Sequence, residues 1–210
     1  MPGKIKKWLT KHWKVSSSSN KFAPMVDGKS GSDRTISERP EAGHPTCINR
    51  EEHERQLAKD VRAVERWIEM WRQKRLDEVV ALSCTECMYH VTLDEGAEKL
   101  EMRLLDFIEQ MRLCYESFPD YESVWDSVEP DPTNGAIIIK NYCSTATHTG
   151  KPFAFGPYPP ILANGAKIRD DAISLHVFLK DGKPMYVKTA LEGVQIGPAA
   201  YYTQIGGLII

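Results

Sequence analysis

At 210 residues, 41% of them hydrophobic and with a formal charge of −2, the chain has the make-up of one globular domain with appendages. A nucleic-acid binder is excluded on this balance, because such domains are normally basic. No apolar run approaches the roughly 20 residues that span a bilayer, and the N-terminus lacks the apolar centre of a secretory signal.

Residues 1–15, MPGKIKKWLTKHWKV, contain no acid. Coiled as a helix, they place Lys4, Lys7, Lys11 and Lys14 on one stripe and Ile5, Trp8, Leu9 and Trp13 on another. That division suits a lipid headgroup layer, with rings at the interface and ammonium groups on anionic lipid. A solvated tail, or a helix docked on a partner protein, fits the same residues, since short lone helices are marginal in water. Residues 16–49 turn to serine, glycine, proline and charge, too poor in apolar surface to offset ordering entropy, and read as a flexible linker.

Regular structure is expected from about residue 50 to 207. Leu57, Val61, Val64, Ile68 and Trp71 recur at helical spacing and Trp67 widens their face. A second helical piece covers 76–82, a strand 88–93, and a third helix 97–117 whose face is Leu100, Leu104, Ile108, Met111 and Tyr115. Phe118-Pro119-Asp120 ends it, because proline restrains the residue before it. The period then changes to two. Strands are expected at 121–129, 136–147, 167–180 and 185–194, with Asp131 to Gly135, a long aromatic loop and Asp181-Gly182 between them. Pro198 to Gln204 reads as a closing helical turn. Helices followed by a meander argue for an α+β fold with the helices on one face of an antiparallel sheet.

Five cysteines in a chain of this size do not make a disulfide framework, which favours a reducing, cytoplasmic setting, with peripheral membrane attachment if residues 1–15 act as an anchor. Cys84 and Cys87 have CxxC spacing with His90 nearby, but zinc would need a fourth ligand; two small buried side chains closing a helix explain them as well.

Three local pieces, in order, carry a resemblance: Phe118-Pro119-Asp120-Tyr121, Ala146-Thr147-His148-Thr149-Gly150, and the hairpin Lys180-Asp181-Gly182-Lys183. Over 50–206 the chain resembles the SnoaL-like branch of the NTF2-like fold, which includes polyketide cyclases, ketosteroid isomerases and dehydratases. The resemblance implies a cone: a curved antiparallel sheet on three N-terminal helices, a homodimer through the sheet, and a pocket that works without metal, nucleotide or other cofactor. It also implies an acid/base pair inside the cone, where low dielectric moves side-chain pKa values toward neutrality. His148 stands where relatives carry a histidine before the mouth loop, and Asp170 or Asp171 opens the next long strand. One of these aspartates is expected as general base with His148 as its partner; a strand-capping His148 and solvated aspartates are the plain alternatives. Tyr89, His90, Tyr142 and His176 are further pocket candidates, and Phe153, Phe155 and Tyr158 candidates for the mouth. The final strand lacks the tryptophan that relatives often carry, and Lys188 serves as a nucleophile only if desolvated.

A two-residue turn at Asp181-Gly182 would pair Lys180 with Lys183, Phe178 with Met185 and His176 with Val187. Both faces of that pair are largely apolar, so one should line the hollow and the other meet a second copy. Two functions remain: a cofactor-free lyase, isomerase or cyclase acting on a small apolar carbonyl or polyketide-like compound, and a non-catalytic binding or scaffold protein recruited by its N-terminal segment.

Overall fold

The computed structural model describes residues 14–15, 47–91, 100–189 and 197–208; side chains are described for these except at 14–15, 47–49, 91, 100, 171–172 and 189. The linker and nearly all of the basic N-terminal segment fall outside the described residues. Lys14–Val15 is a short strand (β1), so these two residues are extended where a helix over 1–15 was expected. It pairs with Glu101 and Leu100.

Helix α1 (Cys47–Arg72) buries the predicted stripe, with Val64, Trp67, Ile68 and Trp71 all inside. A turn with Lys74 at φ 59° leads to α2 (Leu76–Leu82), which buries Leu76 and Val79. Ser83 links the two helices: the Trp67 indole N–H donates to its hydroxyl at 3.0 Å, and that hydroxyl donates to Val79 O at 2.7 Å. Strand β2 (Met88–Val91) then pairs antiparallel with β3 (Leu100–Arg103). The third helix was expected from 97; Leu100–Arg103 is strand instead, and α3 (Leu104–Ser117) begins only after it. A run of apolar residues at helical spacing was overridden by cross-strand pairing with β2, a tertiary effect that periodicity does not carry. The three helices are therefore not consecutive, because a hairpin separates α2 from α3.

The expected strand at 121–129 is two: β4 (Glu122–Val124) and β5 (Ser127–Pro130), both laid against β6 (Ile137–Thr147). Strands β6, β7 (Lys167–Lys180) and β8 (Lys183–Thr189) form an antiparallel core, and α4 (Pro198–Gln204) closes the chain, with Pro198 at its first turn where the missing N–H costs nothing. Sheet order is β1-β3-β2-β8-β7-β6-β4, with β5 also on β6. Among the described residues all named strand pairs are antiparallel except β2 with β8, which is parallel. The result is an α+β cone of the NTF2-like kind, a curved sheet roofed by helices. Among the described residues no helix is long and apolar enough to cross a membrane.

Two irregularities shape the cone. The Asp181-Gly182 turn does pair Lys180 with Lys183, but the next pairs shift: Phe178 faces Tyr186, not Met185, and His176 faces Lys188, not Val187. Pro184 has no N–H for the ladder, and a bulge at this point takes up one extra residue. Opposed register shifts also interrupt β6 and β7 between Ile139 and Ser144. Asn141 there has φ 51°, and its side-chain amide donates to Asp126 Oδ2 at 2.5 Å. One inserted residue reverses the alternation. Ile137 and Ile139 are buried before the irregularity and Ser144 and Ala146 after it; on β7 the buried series runs Ile168, Asp170, then Ile173, Leu175, Val177.

Candidate functional site

Between the sheet and helices α1, α3 and α4 lies a hollow of about 70 Å³, on a measure where one water takes roughly 10–15 Å³, so it holds several waters or the body of a small ligand. One wall is aromatic. Trp67 and Trp71 come from α1 because they are four residues apart, Tyr89 from β2 and Phe107 from α3. Tyr89 stacks on Phe107 with centroids 4.3 Å apart, and Trp71 meets both edge-on at 6.1 and 5.7 Å. Trp71 also carries a buried indole N–H with no acceptor in hydrogen-bond geometry among the described residues.

The opposite end is polar and centred on Asp170, which is only 4% exposed. The bulges bring it across from Ser144 on β6, its cross-strand partner. Ser144 Oγ donates to Asp170 Oδ2 at 2.7 Å, and the Tyr201 hydroxyl, brought over by α4, donates to the same oxygen at 2.6 Å. Ser144 Oγ and the Tyr201 hydroxyl are 2.8 Å apart, which closes a triangle. From Tyr201 a row of phenols continues: Tyr121 at 3.2 Å, then Tyr142 a further 3.4 Å on. Asp170, Tyr201, Tyr121 and Tyr142 line the hollow, and so does Ser123 from β4; Ser144 is not among the described residues that do.

Burial raises the phenols of Tyr89, Tyr121 and Tyr201 well above the ordinary tyrosine value, and those of Tyr115 and Tyr142 in the same direction. They therefore stay protonated and act as hydrogen-bonding hydroxyls, never as phenolates. Together these groups offer one buried carboxyl held by two hydroxyls, a row of neutral donors and an aromatic wall, the kind of surroundings in which a proton can be moved on an apolar compound.

The residues expected from sequence divide sharply. Asp170, Tyr89, His90 and Tyr142 line the hollow. Near its rim the His90 ring Nδ1 lies 2.9 Å from the Tyr186 hydroxyl. The side chain of Asp171 lies outside the described residues. His148 is fully buried but is not among the described residues lining the hollow. Its ring packs on Phe118 at 5.1 Å, and its nitrogens lie 3.3 Å from Asn164 Oδ1 and 3.4 Å from Lys151 O. Phe153 and Phe155 are buried with Tyr202 in a separate aromatic cluster that Tyr158 joins by stacking on Phe155. His176 sits elsewhere, its Nδ1 3.2 Å from Asp131 Oδ2. Lys188 touches the rim while its ammonium lies over the Phe178 ring at 5.4 Å. Cys87 is buried and its thiol pushed up to about 12 by that burial; Cys84 Sγ lies 3.6 Å from the carbonyl oxygens of Lys180 and Lys183. Among the described residues no three His, Cys, Asp or Glu side chains come together as metal ligands.

Ser144, Tyr201 and Ser123 went unnamed in the sequence reading, and Tyr121 figured only as part of a motif. Tyr121 and Tyr201 are 80 residues apart in the chain, and no local pattern joins them.

No family model matches the chain, and no curated protein matches it in sequence. Solved structures do. AclR, a proposed hydroxylase from Streptomyces galilaeus, is 16% identical with a TM-score of 0.49, over 71% of this chain and 82% of that one. A proposed polyketide cyclase from Xanthomonas campestris pv. campestris is 11% identical with a TM-score of 0.48, over 71% of this chain and 98% of its own. An NTF2-like protein of unknown function from Burkholderia pseudomallei is 10% identical with a TM-score of 0.46, over 71% and 98%. At such identities the likeness is one of chain course and says nothing of reaction.

Proposed function

We propose that the chain binds a small, flat, largely apolar carbonyl compound in the hollow and moves a proton on it, with Asp170 as general base and no cofactor. The observation that carries this reading is the Asp170 carboxyl, 4% exposed and held at one oxygen by Ser144 and Tyr201, facing an aromatic wall. A carboxylate deprived of water is a better base toward a C–H beside a carbonyl than one in solution. The aromatic wall takes the flat apolar body, and the buried Trp71 N–H is a donor for which a ligand oxygen is a fitting acceptor. The reaction class is then isomerase, lyase or cyclase, in keeping with the SnoaL-like resemblance of the sequence motifs. His148 enters only indirectly, by tying the loop that follows β6 at Lys151 and Asn164.

The test is hydrogen–deuterium exchange at the activated carbon of 2-tetralone, an apolar enolisable ketone, with affinity read by quenching of Trp67 and Trp71. Asp170→Asn is expected to slow exchange by about 100-fold or more with little change in affinity. Exchange that survives this change removes Asp170 from the role. Tight binding with no exchange in the unaltered protein would favour the carrier reading, in which the same hollow only holds its ligand.

The domain reading extends the proposal: 50–207 as the working unit, 16–49 as tether, and 1–15 as a membrane-surface or partner-binding segment. Equal pelleting with anionic liposomes, with and without residues 1–15, disposes of the anchor. A homodimer through the outer sheet face, where Phe178 and Tyr186 pack at 5.9 Å, is tested by sedimentation equilibrium; a monomer at working concentration removes it.

A further inference from the structure

The two cysteines that follow α2 have no part in the hollow's polar end, yet the backbone holds them as one unit. Cys87 N–H donates to Cys84 O at 3.0 Å, which closes a four-residue turn. Such a turn keeps its first and fourth Cα atoms within about 7 Å, and a disulfide spans about 4.4–6.8 Å between Cα atoms. Both thiols are free, so the pair stands reduced on a backbone that also suits the oxidised form. The turn is fixed at each end: Cys84 N–H donates to Pro184 O at 2.9 Å, and Cys87 O accepts from Leu104 N–H at 2.8 Å.

The two sulfurs differ in access. Cys84 is half-buried in a groove of about 440 Å³ between the turn and the β7–β8 hairpin, lined by Thr85, Glu86, Lys180, Asp181 and Lys183 among others. Its Sγ lies 3.6 Å from the carbonyl oxygens of Lys180 and Lys183. Cys87 is 1% exposed, and its thiol, pushed up to about 12 by burial, stays protonated toward outside reagents. An oxidant from solution therefore meets Cys84 first and reaches Cys87 only through it.

We propose that Cys84 and Cys87 form a thiol–disulfide exchange site whose reactant is a low-molecular-weight disulfide received in this groove. Cys84 gives its proton to solvent and its sulfur attacks one sulfur of the reactant. The reactant's S–S bond breaks and its other half departs as a thiolate. The mixed disulfide now lies beside Cys87, which gives up its proton as its sulfur attacks Cys84 Sγ. The mixed S–S bond breaks and the second half departs. The two thiolates released take up two protons, replacing those the cysteines gave. Two protein thiols have been oxidised to one disulfide, and one small disulfide has been reduced to two thiols. An excess of small thiol runs the same steps backward.

The pair also adjoins the aromatic wall of the hollow. Ser83, the residue before Cys84, accepts from the Trp67 indole N–H at 3.0 Å. Cys87 stands two residues before Tyr89, both are buried, and the Tyr89 ring stacks on Trp67 with centroids 6.3 Å apart. Closing the disulfide turns the Cys87 sulfur toward Cys84 and the groove, which loosens packing on that side of Trp67 and Tyr89. The oxidised protein then holds a ligand of the hollow less tightly. This link rests on the binding reading given above, whereas the exchange itself does not.

In the test, the folded full chain is incubated with oxidised glutathione, quenched in acid, alkylated and mapped by peptide mass. The expected product is a peptide lighter by two hydrogens, with Cys84 and Cys87 unalkylated and no glutathione attached. Cys87→Ser is expected to stop at a glutathione adduct on Cys84, and Cys84→Ser to leave Cys87 untouched. A lasting adduct on Cys84 of the unaltered protein, two thiols that stay unchanged, or oxidation of Cys87 in Cys84→Ser overturns the proposal. Should Cys87→Ser fail to fold, a time course on the unaltered protein decides, since the Cys84 adduct must appear before the linked pair. In a second arm, 2-tetralone affinity read by tryptophan quenching is expected to fall about 5-fold or more on oxidation and to recover with dithiothreitol. Equal affinity in the two states overturns the link to the hollow. Absence of 2-tetralone binding in both states counts against the binding reading, and the peptide map still decides the exchange.

Discussion

Tyr201→Phe is the sharpest probe of the polar end, because it deletes one oxygen and leaves the ring that packs on Phe118 at 6.0 Å and on Tyr121 at 6.0 Å. The hydroxyl lies within 2.6 Å of Asp170 Oδ2, 2.8 Å of Ser144 Oγ and 3.2 Å of the Tyr121 hydroxyl, on a residue 1% exposed. A hydrogen bond to a charged group contributes about 1.5–3 kcal/mol and a neutral one about 1, and a buried partner left alone also keeps its desolvation cost. One hydroxyl cannot donate to all three oxygens, so the terms do not simply add; a loss of about 2–4 kcal/mol is expected. For a domain of this length that is a fall in Tm of roughly 5–15 °C. The assay is urea unfolding followed by emission of the buried Trp67 and Trp71, with the slope against urea unchanged. Tyr202→Phe is the matched control: its hydroxyl makes one neutral bond, to Pro159 O at 2.8 Å, and should cost only about 1 kcal/mol. If the two variants lose the same amount, the polar end is no better knit than an ordinary turn, and the reasoning about Asp170 fails with it.

Three further outcomes follow from the structure. Gly150→Ala places a methyl 2.0 Å from Glu116 O and 3.1 Å from the Pro119 ring, so the loop must lift and lose the bonds of Gly150 N–H to Ser117 O and Lys151 N–H to Glu116 O; a loss of about 2–3 kcal/mol in urea is expected, and a neutral result would mean the loop is not docked there. The Cys87 thiol, near 12, should resist iodoacetamide at pH 8 in the folded protein and react only on unfolding, whereas rapid labelling by peptide mass mapping would contradict its burial. His176 is held below 6.5 chiefly by burial, with Lys188 adding and Asp131 opposing. The folded state then binds this proton less well than the unfolded chain, so its contribution is present above pH 6.5 and is lost as pH falls toward the lowered folded value. His176→Gln should flatten stability against pH in that window and leave the loss below about pH 4, where the lowered carboxyls of Asp131 and Asp120 take up protons.

Helix α2, strand β7 and the closing helix α4 were legible to the residue, and the Asp181-Gly182 turn paired Lys180 with Lys183, though not the later partners. These are elements whose signals are local: an apolar stripe, an alternating run, a proline at a first helical turn, a glycine at positive φ. The segment Leu100–Arg103 was read as helix because its apolar spacing fits one, and only the pairing with β2 makes it a strand. Asp170 and Asp171 show the limit most plainly. Continuing the buried series Val177, Leu175, Ile173 down β7 by twos arrives at Asp171, and it is the bulge that brings Asp170 inside instead. His148 was singled out by its place in a motif, whereas the groups around the carboxyl, Ser144, Tyr121 and Tyr201, have no signature at all.

The order of residues along this chain was enough to settle that it would bury helices against a twisted sheet, since the periods 3.6 and 2 follow from backbone geometry and each is read from neighbours a few places apart. Which side chains meet inside was decided by register, and register depends on single-residue insertions that pair across strands far apart in sequence. One extra residue near Asn141 and one near Asp171 each turn an entire strand end over, and no local property of either segment announces it. The carboxyl and its hydroxyls therefore belong to the tertiary structure, because only there do cross-strand hydrogen bonds choose one of two nearly equivalent alternations.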